Sequence, residues 1–232
     1  MKKIVLDIKR PIKEHVEIIE TFDVSTVYEA QGKKGLVSDE LHSILPGKRI
    51  AGPVVTVVCK SGDNLMIHAA IEAVKPGDIV YITTDEKESR YGMLGELIIT
   101  ALMKRGVKGV ITESGIRDVK QIQDMNFPIW TKYITPKGTT KKYGGSVNVP
   151  IEKNDVVINP GDILIADDDG VVVIPRLSAE ESIEKTKVRM AKEVGTLEKI
   201  NSLQLSLDFY SLREVLETEG VVYEKVPEES YD

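Results

Sequence analysis

The chain has 232 residues, 41% of them hydrophobic and 29% charged, with a formal net charge of -6. That is enough apolar material for one sizeable core and argues against disorder over most of the length. Acids and bases are interspersed, which excludes the basic footprint of a nucleic-acid binder. No apolar run approaches the ~20 residues that span a bilayer, and residues 1–10 alternate charged and apolar types without a signal-like core. A cytoplasmic, reducing location is therefore expected. The lone cysteine, Cys59, ends an apolar run and reads as a buried strand residue. Lys33-Lys34 and Lys141-Lys142 read as solvated loops.

In chain order, residues 12–22 have helical spacing, and Asp23 to Thr26 reads as a cap before a short helix over 27–31. Residues 50–59 are rich in β-branched types and predict a strand. A helix follows over 64–74, then a Pro76-Gly77 turn and a strand over 79–83. The spacing of Leu94, Leu97, Ile98, Ala101 and Leu102 predicts a helix over 92–105, with Gly95 at or near its start. A buried strand over 107–112, a short loop Glu113 to Ile116, a helix over 119–125 and a strand over 128–133 come next. Residues 136–145 form a glycine- and lysine-rich loop. Strand signals recur over 146–151, 156–159, 163–167 and 171–174. Ser178 and Glu181 form a capping box for a long helix to about residue 199, and a last helix is expected over 211–219. Residues 1–200 read as one domain and 201–232 as a helical extension with an acidic tail. The alternation suggests an α/β sandwich around a mixed sheet, since eight regular βα units are not visible. The stretches 74–80 and 158–164 echo each other and read as a shared Pro-Gly strand-entry turn.

The stretch 94–118, LGELIITALMKRGVKGVITESGIRD, carries the most chemistry. The first-turn amides of a helix starting at Gly95, those of Glu96, Leu97 and Ile98, lack intrahelical partners and attract anions. Equally, Gly95 serves only close packing. Arg117 follows a buried strand, where α/β proteins place ligand groups, and its planar fork suits a carboxylate or enolate. Asp118 offers hard oxygen to Mg²⁺ or Mn²⁺. The plainer alternative makes Asp118 the cap of the next helix and Arg117 half of a surface pair. Asp167-Asp168-Asp169-Gly170 reads as a strand-to-strand turn, and His15, His42 and His68 lack metal spacing.

The pattern GEL, then RGV and GV, then ESGIRD, with PGDILIADDDGVVVIP downstream, resembles the family of the regulator of ribonuclease E activity A. That family includes 4-hydroxy-4-methyl-2-oxoglutarate/4-carboxy-4-hydroxy-2-oxoadipate aldolases. The resemblance runs from about Ser25 to Arg176. Its most specific element is an acid, twenty residues, then Arg-Asp, met here by Glu96 and Arg117-Asp118. It implies an αββα sandwich resembling the swivelling phosphohistidine-domain fold, assembled as a homotrimer or homohexamer with sites between subunits. It implies that Asp118 holds a divalent metal, Mg²⁺ or Mn²⁺, and that Glu96 contacts water on that metal. Arg117 would bind the oxoacid and stabilise its enolate, and the amides of Leu97 and Ile98, past Gly95, would hold the pyruvate carboxylate. A neighbouring subunit's helix would add Glu193, with Glu198 as competitor. Glu96 and Glu113 both stand where family members often carry Asp.

The expected activity is a class II retro-aldol lyase acting on a small 2-oxo acid, with oxaloacetate decarboxylation as a side reaction. The alternatives are a non-catalytic protein-binding regulator of an RNA-degrading enzyme and an aldolase for a sugar-derived 2-keto acid. Arg90, Tyr91 and the 136–145 loop are candidates for the distal end of the substrate.

Overall fold

The computed structural model describes residues 2–86, 88–153 and 155–224. The chain divides into two compact units, Met1–Lys187 and Val188–Asp232.

The first unit opens with helices α1 (Lys13–Ile19) and α2 (Val24–Ala30) and short strands β1 (Leu36–Ser38) and β2 (His42–Ser43). The β-branched run then forms the long strand β3 (Ile50–Cys59), followed by α3 (Leu65–Ala73), β4 (Ile79–Thr84) and β5 (Ser89–Leu94). Next come α4 (Glu96–Lys104), β6 (Gly109–Ile116), α5 (Val119–Asp124) and β7 (Ile129–Ile134). The later part is strand-dense: β8 (Ser146–Val147), β9 (Ile151–Lys153), β10 (Val156–Ile158), β11 (Ile163–Asp167) and β12 (Gly170–Ile174). Helix α6 (Ala179–Asn201) starts in the first unit and continues into the second, which also holds α7 (Ser206–Phe209) and α8 (Arg213–Thr218).

The main sheet is mixed, in the order β1-β12-β11-β3-β4-β6-β7-β2, with β5 beside β6 and β8 beside β3. Strands β3, β4, β6 and β7 run parallel, and β11 joins β3 antiparallel. Successive side chains of a strand point to opposite faces, so each strand feeds two apolar layers. Val55, Val57, Val80, Ile82 and Val110 pack under α3 and α4 through Ile67, Ala70, Ile99 and Leu102. Their neighbours Val54, Ile79, Tyr81 and Ile111 turn inward with Trp130 of β7, and there they meet Leu164, Ala166, Val171 and Val173. Strands β7 and β12 lie far apart in the sheet order yet share this layer, so the sheet folds back on itself. Ile163, Ile165, Val172 and Ile174 face out under α1, α2 and the start of α6. The order is helix, sheet, sheet, helix, with the helix-covered parallel strands on the side that carries Arg117.

Several sequence expectations change. Ser178 ends a 3-10 turn and Glu181 pairs with Lys185, so no capping box forms between them. The strand expected over 146–151 is only β8 and the start of β9. Two more changes lie at the site. The helix expected over 92–105 is two elements: residues 89–94 are strand β5, and helix α4 begins only at Glu96. Leu94 fits a helical stripe as well as a strand, and periodicity alone does not separate the two. Residues 113–116, expected as a loop, extend β6 to Ile116. Every residue of that strand is buried, because it pairs with β5 on one side and β7 on the other.

The two echoed turns have the same construction. Gly77 and Gly161 adopt positive φ (91° and 86°) after a proline, the arrangement of a type II turn. The following aspartate accepts a backbone N–H from three residues earlier: Lys75 N to Asp78 Oδ2 at 2.7 Å, and Asn159 N to Asp162 Oδ2 at 2.9 Å. Buried Asp78 is further neutralised by the two-pronged guanidinium of Arg10, at 2.8 and 2.7 Å. The triple-aspartate run is the tight turn between β11 and β12: Asp167 pairs with Gly170 and accepts the Asp169 N–H at 2.9 Å. Cys59 lies in β3 and is 1% exposed. Burial, with the charge of Asp63, pushes its thiol up to about 12, so it is unsuited to nucleophilic chemistry.

Candidate active site

Strands β5 and β6 run parallel, with Leu94 opposite Ile116. The chain therefore leaves both strands at the same edge, as Gly95-Glu96 from one and Arg117-Asp118 from the other. The Arg117 N–H donates to the Leu94 carbonyl at 2.9 Å and closes this junction. Carboxyl ends of adjacent parallel strands are where open α/β sheets receive ligands.

Asp118 lies at the start of α5 with left-handed backbone, φ 57° and ψ 37°, and its side chain makes no cap to that helix. An L-residue held in this conformation costs of order 1 kcal/mol or more and tends to mark a functional position. Its carboxylate crosses to the other element: Oδ2 accepts the Glu96 N–H at 3.1 Å. Asp118 thus caps α4, a helix 22 positions earlier in the sequence, and of the first-turn amides expected to bind an anion, that of Glu96 is already occupied. The amides of Leu97 and Ile98 have no acceptor among the described residues. Leu97 itself is 83% exposed, so an apolar side chain stands open beside those donors.

Gly95 is required by this crossing. A Cβ at that position would press into Asp118 Oδ2 and lie 3.0 Å from Arg117 Nε. The backbone there is ordinary extended chain (φ -147°), so space, not conformation, demands the glycine. Arg117 Nε lies 3.7 Å from Asp118 Oδ2, with the side chains 48% and 38% exposed. A cation and a carboxylate are therefore fixed side by side and open to solvent.

The loop after β7 forms one border of the site. Gly92 N donates to Lys137 O at 2.8 Å, and a Cβ on Gly138 would sit 3.8 Å from an Arg117 terminal nitrogen. Arg90 lies over the Tyr133 ring (5.0 Å) and Lys137 over the Tyr91 ring (6.0 Å), so this rim is cationic and aromatic.

Glu113 is not free to act here. It is 4% exposed and receives the Tyr81 hydroxyl and the ammonium of Lys153, with Lys132 at 4.0 Å. Burial first, then the adjacent Glu113, raises the Tyr81 phenol well above its usual range. Sequence reasoning missed this buried network, because its members come from β4, β6, β7 and β9, and no local pattern links them. His68 is held below the usual histidine range by burial and by Lys141, and among the described residues it belongs to no group of three or more metal-ligating side chains. Glu193 lies in the second unit, where Arg189 Nε meets its Oε1 at 3.0 Å.

Among the described residues no group of three or more His, Cys, Asp or Glu side chains could hold a metal. A Mg²⁺ site needs fewer: one or two carboxylates suffice, with water and substrate completing the octahedron. Asp118 meets that requirement. Its Oδ2 is fixed by the helix, its Oδ1 takes no hydrogen bond among the described residues, and Glu96 is the next acid in the site.

A family model described as RraA-like: Aldolase/RraA matches residues 21–173. The chain belongs to this family. The matched span of the RraA-like chain contains Gly95, Glu96, Arg117 and Asp118, and it ends before Glu193. The chain is 33% identical over 145 residues to a Halalkalibacterium halodurans protein provisionally named 4-hydroxy-4-methyl-2-oxoglutarate aldolase, covering 62% of this chain and 69% of the other. It is 30% identical over 205 residues to an uncharacterized Methanocaldococcus jannaschii protein, covering 88% and 94%. Its fold resembles that of Streptomyces coelicolor RraAS2, described as an unusual member of the RNase ES inhibitor RraA family. The TM-score is 0.69 at 24% identity, covering 85% of this chain and all of the other. No helix of the described residues is long and apolar enough to cross a membrane.

Proposed function

We propose that this chain is a divalent-metal-dependent lyase that cleaves a 4-hydroxy-2-oxo acid of the 4-hydroxy-4-methyl-2-oxoglutarate type to pyruvate. The observation that carries the reading is the junction of Asp118, Arg117 and the open amides at the start of α4, within a family whose relatives bear aldolase names.

Asp118, with Glu96, would hold Mg²⁺ or Mn²⁺ through hard carboxylate oxygens. When bound, such an ion supplies Lewis-acid neutralisation of charge on the oxoacid. The chain's own groups account for the rest. The N–H donors of Leu97 and Ile98 bind the substrate carboxylate at the positive end of the helix. Glu96 orders the water that accepts the proton of the C4 hydroxyl. As that proton leaves, C4 becomes a carbonyl, the C3–C4 bond breaks and its electron pair forms the pyruvate enolate. Arg117 faces that developing negative charge as a preorganised cation. Protonation at C3 completes pyruvate. Oxaloacetate fits the same scheme, since loss of CO₂ leaves the same enolate. The proposal includes a homotrimer or homohexamer in which Glu193 of one copy serves its neighbour's site.

Two rivals share the fold. A regulator of an RNA-degrading enzyme is supported by the RraA part of the family description and by fold likeness, and an aldolase for a sugar-derived 2-keto acid would use the same residues. The test is pyruvate release, coupled to lactate dehydrogenase, from 4-hydroxy-4-methyl-2-oxoglutarate and from oxaloacetate with Mg²⁺ or Mn²⁺. Release from both is expected. No release from either, with metal present, would leave the two rivals standing.

A further inference from the structure

The loop after β7 has no repeating pattern, yet one buried carboxylate ties it down. Asp63, in the turn before α3, is 1% exposed. Its Oδ1 accepts the Leu65 N–H at 3.0 Å, an ordinary cap to its own helix. Its Oδ2 faces away from that helix and accepts the Thr140 hydroxyl at 2.6 Å and the Lys142 N–H at 2.5 Å. Two backbone bonds run beside these, Asn64 N to Thr140 O at 3.0 Å and Thr140 N to Gly62 O at 2.9 Å. Burial alone would raise the Asp63 carboxyl, but the donors from Thr140, Lys142 and Leu65 outweigh it and hold the group below the usual carboxylate range.

The other end of the same loop touches the site. The Lys137 carbonyl takes the Gly92 N–H. A Cβ on Gly92 would lie 2.8 Å from Thr135 O and 3.3 Å from Arg117 Cβ. Gly138 faces the Arg117 guanidinium. Between this border and the Asp63 latch there are only two residues, Gly138 and Thr139, so freedom at Thr140 passes directly to the wall against which Arg117 stands.

We infer that Asp63 is a positioning residue: by latching Thr140 and Lys142 it fixes the 135–140 segment and, through it, the aim of Arg117. The inference rests on the proposed role of Arg117 in holding the oxoacid. It assigns to Asp63 a purpose beyond helix capping, carried by its second oxygen. Positioning effects of this kind are steep, since a displacement of about 1 Å can cost on the order of a hundredfold in rate.

Thr140 is exposed and lies outside the core, so a change there disturbs folding less than a change at the buried Asp63. Thr140→Val removes the hydroxyl and keeps the shape. Thr140→Ser keeps the hydroxyl. The expected result for Thr140→Val is a fall of about tenfold in kcat/KM for pyruvate release from oxaloacetate, with a melting temperature lowered by only about 2–4 °C, because the buried Asp63 carboxylate loses one of its donors. Thr140→Ser should restore near-normal values, and Asp63→Asn should fall at least as far as Thr140→Val. Hydrogen exchange at amides 137–142 should quicken in Thr140→Val and Asp63→Asn. Equal kcat/KM for the valine and serine variants would overturn the positioning role. Unchanged exchange in both weakened variants would overturn the latch itself. A wild-type chain that releases no pyruvate would sink the proposed activity on these substrates and the catalytic half of this inference with it, while the exchange measurement would still decide the latch.

Discussion

Arg117→Ala is expected to lose about a thousandfold in pyruvate release, the upper end of what one preorganised electrostatic donor contributes to a developing oxyanion. The fold should hardly notice. The Arg117 side chain is 48% exposed and its charged contact is the 3.7 Å approach to Asp118. Half-exposed ion pairs contribute little to stability, so the melting temperature should move by no more than a degree or two. Arg117→Lys keeps the charge and loses the fork and is expected to recover only part of the activity. Steady-state kinetics and a thermal melt of the same preparations check the claim. Near-normal turnover in Arg117→Ala would remove the residue from the site and the lyase assignment with it.

Gly95→Ala is expected to be nearly as damaging, for a reason visible only in the fold. The added methyl group enters the space held by Asp118 Oδ2 and crowds Arg117 Nε. Either Asp118 swings away and gives up the Glu96 N–H, or the first turn of α4 shifts. The first outcome displaces the carboxylate proposed to hold the metal, and the second displaces the anion-binding amides. A loss of at least a hundredfold in activity is expected, with a destabilisation of about 1–3 kcal/mol from overpacking. Gly195→Ala is the control. Gly195 lies in α6 with nothing within 4 Å of a Cβ. Alanine there should be neutral or mildly stabilising, as helix propensity dictates. If both variants retain activity, the crossing of Asp118 over Gly95 has no catalytic meaning.

Much of this was legible in the chain itself. The strand over 50–59 and the helices over 64–74 and 119–125 are set by local periodicity and appear within one residue of their expected bounds. Gly95, Arg117 and Asp118 could be singled out by their places at a helix start and after a buried strand, and Glu96 by the family resemblance whose acid and Arg-Asp pattern the chain meets. The link from Asp118 to α4 was not legible. Capping is usually sought within three residues of a helix start, and this cap comes from a different strand end. Residues 113–116 misled because Ser114 and Gly115 look like loop, yet Gly115 is what lets β5 approach: a Cβ there would lie 2.9 Å from Tyr91 O. Asp63 was silent for the same reason as Asp118, since its partners Thr140 and Lys142 lie nearly 80 positions away. The roles of Asp118 with metal and of Glu193 with a neighbouring copy come from the family resemblance.

The central claim is that this site stabilises the enolate of pyruvate, whatever the distal group of the true substrate. Exchange of the pyruvate methyl protons for deuterium reads that step alone. Pyruvate in D₂O would be followed by proton NMR with the chain and Mg²⁺ or Mn²⁺, then with EDTA, and in parallel with Arg117→Ala. The account predicts loss of the methyl signal far above the protein-free rate, abolished by EDTA and by the substitution. A methyl signal that decays at the protein-free rate, with either metal present, would contradict it.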